Sequence, residues 1–167
     1  MPATYDKIAA HTLPSNATSY TFTGISQAYT DLVLITQSKV TSGSYQNYIR
    51  VGNGSIDSGN NYSFTILNGD GASASSLRVA NYSYIGGYFD YNTSADGMIS
   101  ITNFQNYSNT TTYKTVLQRG SNANTGVAAT VGLWRSTSAI NQIQIYPTAS
   151  GTFVAGSTFT LYGIKAA

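Results

Sequence analysis

The chain of 167 residues contains no cysteine and no glutamate. Without cysteine it has no disulfide, no thiolate nucleophile and no cysteine metal site. Only 8% of its residues are charged, about a third of the roughly 25% usual in soluble domains. The only acids are Asp6, Asp31, Asp57, Asp70, Asp90 and Asp96. The basic residues are scattered singly: Arg50, Arg78, Arg119 and Arg135, with Lys7, Lys39, Lys114 and Lys165. No basic run can neutralise several phosphates together, so nucleic acid is not an expected partner. No apolar run approaches the roughly 18 residues of a membrane span. The start, MPATYDKIAAHTL, has no apolar signal core. The expectation is a soluble chain made in a cytoplasm, with no membrane partner.

Catalytic chemistry is equally short of parts. The single histidine, His11, lies near the N-terminus and reads as a surface or packing residue. Asp31 precedes an apolar run, but there is no second histidine and no cysteine with which to build a triad. Asp90 and Asp96 are the one pair close enough in sequence to suggest a glycosidase, and turn formation explains them more simply. The loops Asn68-Gly69-Asp70-Gly71 and Asn53–Asp57 offer oxygen ligands, yet lack the alternating acids of a calcium loop. The expectation is no enzyme, no cofactor and no metal. Asn-x-Ser/Thr acceptors recur at Asn16, Asn53, Asn61, Asn81, Asn92, Asn106 and Asn109. Without a secretory signal they are expected to carry no glycan.

What fills the gap is asparagine, serine, threonine, glycine and tyrosine. With 13% aromatic and 41% hydrophobic residues, the chain can support a core, which argues against disorder. Its length suits one domain that buries about 70% of its unfolded surface. Period-2 alternation recurs along it. Strands are predicted at Tyr20–Thr23, Leu32–Ile35, Tyr45–Val51, Tyr62–Leu67, Met98–Phe104, Tyr113–Gln118 and Val127–Trp134. A longer one spans Leu77–Phe89, with a break at Gly86-Gly87. In the last stretch, Ile143 and Ile145 alternate with Gln142, Gln144 and Tyr146 until Pro147 stops the strand. Phe159 and Leu161 restart the pattern, which ends near Ile164. These make about ten strands and no helical periodicity, which predicts an all-β, antiparallel two-sheet sandwich.

The closing NQIQIYPTASGTFVAGSTFTLYGIKAA resembles the end of tailed-bacteriophage virion proteins, a family of β-sandwich modules. ATYDKIAAHTLPSNATSYTFTGISQAYTDLVLI and ITNFQNYSNTTTYKT fit the same pattern, so the resemblance spans nearly the whole chain. It implies a jelly-roll-like fold and a non-enzymatic capsid decoration (cement) protein on the outer surface of the virion. Such a protein is made in the bacterial host cytoplasm. Its implied partners are the major capsid protein and further copies of itself in a homotrimer. The alternative is a tail, baseplate or head-fibre module that binds host surface glycans.

Residues 1–19 read as an N-terminal arm or leader ahead of a single sandwich at 20–167. Tyr5, Lys7, Ile8 and Leu13 are its candidate contacts to a shell or neighbouring subunit. Tyr82, Tyr84 and Tyr88 share parity if their strand stays regular, so they could line one binding face or simply fill a sheet. Trp134 and Arg135 complete the candidates, the first as core or contact and the second as an anchor.

Overall fold

In a computed structural model the described residues form thirteen strands. It describes residues 4–148 and 151–165, without the side chains of 44 and 87–91. The strands are β1 (Tyr5–Thr12), β2 (Tyr20–Phe22), β3 (Asp31–Ser38), β4 (Ser44–Asn53), β5 (Ser55–Ile56) and β6 (Tyr62–Gly69). After these come β7 (Ala74–Tyr82), β8 (Ile85–Thr93), β9 (Met98–Gln105), β10 (Lys114–Asn122) and β11 (Gly126–Trp134). The last two are β12 (Gln142–Pro147) and β13 (Thr158–Ile164).

They form two antiparallel sheets that pack as a sandwich. One has eight strands in the order β1-β13-β3-β9-β10-β11-β6-β7. The other runs β2-β12-β4-β5, and β8 also pairs with β4. Within this arrangement, β1-β13-β3-β9 and β2-β12-β4-β8 wind as a jelly roll, late strands entering between early ones in both sheets. β10, β11, β6 and β7 extend the first sheet beyond that unit.

Every predicted strand falls on an observed one, with three differences. First, residues 5–12 of the expected leader form an edge strand, paired with β13 from Tyr5↔Ile164 to Thr12↔Thr158. Alanines, Lys7 and a bulge between Lys7 and Ala9 blur its alternation, which hides it in the sequence. Second, two-residue β5 is too short to show any periodicity. Third, the long strand breaks after Tyr82 rather than at Gly86-Gly87. Asn81 takes φ 59° there, a left-handed conformation that asparagine tolerates.

The core lies between the sheets. Leu32, Leu34, Phe64, Ile66, Phe104, Val116, Phe159 and Leu161 face Phe22, Ile49, Val51, Ile85, Ile143 and Ile145 in one cluster. Fixed polar contacts thread it. Asn47 and Asn92 each donate to Ser38 Oγ, at 2.9 and 2.8 Å, tying β4 and β8 to β3. Lys114 is buried, its Nζ donating to the carbonyls of Thr112 at 2.7 Å and Thr137 at 3.1 Å.

Thr102, Gln118 and Thr130 are neighbours across β9, β10 and β11 and point inward. Their buried side-chain oxygens, and the Gln118 amide nitrogen, have no hydrogen-bond partner. A buried hydroxyl left unpaired costs about 1–3 kcal/mol. Thr130→Val keeps the shape and removes that group. We expect it to raise stability by about 1 kcal/mol, read as a higher denaturation midpoint at unchanged m value. A loss of similar size would show that the hydroxyl is paired in solution.

Candidate functional site

The two outward faces of the sandwich differ in chemistry. On the smaller sheet, β4 presents Gln46, Tyr48 and Arg50, and β12 presents Gln142, Gln144 and Tyr146. The register sets Tyr146 opposite Tyr48 and Gln144 opposite Arg50. Tyr84, from the link between β7 and β8, stacks on Tyr48 with ring centroids 3.7 Å apart and planes 11° from parallel. Tyr82 meets Tyr84 edge-on at 5.1 Å. The Arg50 guanidinium lies 4.7 Å from the Tyr146 ring centroid, while its Nε donates to the Ser83 carbonyl at 2.8 Å. Burial pushes the Tyr146 hydroxyl up to about 12, against the opposing charge of Arg50. Gly86 is required beneath the stack: a Cβ there would lie 2.2 Å from Tyr48 Cδ1.

The outer face of the eight-stranded sheet is aliphatic. Cross-strand register arranges it in rows: Ile99–Ser121–Val127, then Ile101–Arg119–Ala129–Leu67, then Asn103–Leu117–Val131–Thr65. Leu67 is 62% exposed, Val127 58%, Ile99 46%, and Leu117 and Val131 45% each. Leu67, Leu117, Arg119 and Val131 line a shallow concavity of 590 Å³, with Ser76 and Asn103 at its sides. Arg119 stands among these side chains, and Arg78 is opposite Thr65 on β7. Among the described residues, neither arginine meets a carboxylate.

The inner face of the same strands explains this distribution. Ala128 and Gly132 are small because β8 crosses them; a Cβ on Gly132 would lie 2.6 Å from Ile85 Cγ2. β10 turns Lys114, Gln118 and Asn122 inward. Besides the large residues they bury, Phe64, Ile66, Phe104 and Val116, these strands thus also carry large aliphatic groups outside, unlike a sheet whose outer face meets only water.

The nine candidate contacts do not share one surface. Leu13 and Trp134 are core residues, which takes both out of any surface contact. The Trp134 indole donates to Asp57 Oδ2 at 2.8 Å. Arg135 is committed within the chain: its guanidinium donates to the Asn60 carbonyl at 2.6 Å, to Asn81 Oδ1 at 2.9 Å and to Ser63 Oγ. Ile8 is half-buried against the core, while Tyr5 and Lys7 are exposed along edge strand β1. Tyr82 and Tyr84 do meet, where β7 ends rather than along one strand. The side chain of Tyr88 lies outside the described residues. His11 stacks on Tyr20 at 4.3 Å, a packing role.

The aspartates are mostly taken up by structure. Asp70 accepts from the amides of Ala72 and Ser73 in the β6–β7 turn. Asp31 accepts from the Asn106 amide, and Asp6 pairs with Lys165. The outer aliphatic face was missed in the sequence. Its signal was the parity of β10 and β11, where Leu117, Val127 and Val131 alternate against glycine, alanine and glutamine.

No family model and no curated protein matches the chain.

Burial raises the Asp57 carboxyl, but hydrogen bonds from Trp134, Asn61 and Gly59, with Arg50 nearby, outweigh it and hold the group below 3.8. Its stabilising effect is therefore complete above that value and is lost as pH falls through the lower folded value. Asp57→Ala should cost about 1–2 kcal/mol at pH 7. In urea melts run from pH 7 down to pH 2, the deficit should shrink only at the acid end. A deficit that persists undiminished at pH 2 would assign it to packing instead.

Proposed function

We propose that this protein is a non-enzymatic structural component of a phage particle. In this reading it is a capsid decoration protein, made in the bacterial host cytoplasm, that seats the outer face of its eight-stranded sheet on the major capsid protein. The observation that carries the reading is the row of exposed aliphatic side chains around Arg119. A large apolar patch on a folded domain marks an interaction site. Arg119 and Arg78 add a demand for carboxylates on the partner. The jelly-roll winding and the resemblance of the quoted segments support the same assignment. With so few charges at the contact, attachment should depend weakly on salt.

The glycan-binding alternative draws less support. Sugar stacking needs free ring faces, and Tyr48 has one face against Tyr84 and packs closely on Gly86. Tyr82, 42% exposed, is the most open ring of that cluster.

The test is co-sedimentation of the purified protein with heads that lack it. The triple variant Leu67→Thr, Leu117→Thr, Val131→Thr should fold with stability within about 1.5 kcal/mol of the parent. It should bind heads at least about 30-fold more weakly, the loss of one or more interface anchors of about 2 kcal/mol. Equal binding by parent and variant would remove this face from the contact. Binding of neither would overturn the decoration role, and a glycan array would then decide the alternative.

A further inference from the structure

A β-sheet must end somewhere, and its last strand offers unpaired N–H and C=O groups to any other strand. Of the other edges, β8 pairs with β4 alone, and three are blunted. β1 carries Asp6 and Lys7, has a bulge between Lys7 and Ala9, and is bracketed by the Asp6–Lys165 ion pair. β2 has three residues and β5 has two. β7 is different. Its nine residues, ASSLRVANY, contain no proline and a single charge, Arg78. Eight of the nine are exposed, and its pairing with β6 is regular from Ser63↔Ala80 to Gly69↔Ala74.

We propose that β7 pairs antiparallel with β7 of a second copy of this chain, joining two eight-stranded sheets into one. The sequence of the strand selects itself as partner. With the twofold axis at Leu77, Leu77 faces its own copy, Ser76 faces Arg78, Ser75 faces Val79, and Ala74 faces Ala80. No like charges oppose one another in that register, whereas an axis at Arg78 would place guanidinium against guanidinium. Leu77 is on the inward-facing side, opposite Ile66, yet remains 37% exposed. A second Leu77 would cover it. The contact is isologous and closes as a dimer.

One consequence bears on the docking face. The twofold of an antiparallel strand pair is perpendicular to the sheet, so both aliphatic outer faces point to the same side. A dimer therefore presents two copies of the docking face to one surface, and attachment through both dissociates far more slowly than through one. The dimer itself does not depend on what that surface is.

Sedimentation equilibrium over a range of concentrations reads the outcome directly. A species of twice the 17.7 kDa chain mass is expected for the parent, and a monomer for Leu77→Lys. Ser76 tests the register. Ser76→Lys places lysine against Arg78 and should weaken association at least about tenfold, whereas Ser76→Glu places glutamate there and should tighten it. Ala10→Lys, on β1, should leave the dimer unchanged. Far-ultraviolet circular dichroism and the thermal midpoint check that each variant is folded, and the Ser76 pair decides if Leu77→Lys is not. A monomeric parent, a trimer, or a dimer indifferent to both Ser76 charges would overturn the proposal.

Discussion

Strands β12 and β13 enter between strands laid down at the other end of the chain. β13 lies between β1 and β3, and β12 lies between β2 and β4. Neither sheet is continuous until residues 142–164 have paired. Phe159, Leu161, Ile143 and Ile145 then complete the core from both sides. With no disulfide and one ion pair among the described residues, cohesion comes from these aliphatic and aromatic contacts and from strand pairing. Such long-range pairing predicts slow folding, because distant segments must meet before any contact rewards them. It also fixes both Tyr5–Thr12 and Thr158–Ile164 in the larger sheet.

The extension of the large sheet has a second consequence. β10, β11, β6 and β7 run past the jelly-roll unit, and β8 is what packs across their inner side. To admit β8, β11 carries Gly132 on its inner side, while Leu67, Leu117, Val127 and Val131 stand on the outer side of the same sheet. That aliphatic face surrounds Arg119, which meets no carboxylate among the described residues, and under the proposed function it is the surface that meets the partner.

Much of the fold was legible in the sequence because alternation is local. Tyr62 to Leu67 and Met98 to Phe104 each declare one buried and one open side, and turn clusters such as Asn68-Gly69-Asp70-Gly71 separate them. β1 was not legible, since its register is imposed by β13 rather than by its own weak pattern. The site was less visible still. Alternation tells that β11 has two sides but not which one is inside. By residue type Trp134 read as core or contact and Arg135 as an anchor. Only their partners, Asp57, Ser63, Asn60 and Asn81, show that both hold the chain together. Tyr82 and Tyr84 were grouped by parity along a strand that in fact ends between them.

The most direct measurement is electron cryomicroscopy of the intact particle. The expected result is density of this sandwich repeated over the head lattice, with Leu117, Val131 and Arg119 turned toward the shell. A bare head, with the fold found at the tail or a fibre tip, would contradict it. So would a decorated head in which the aliphatic face points to solvent.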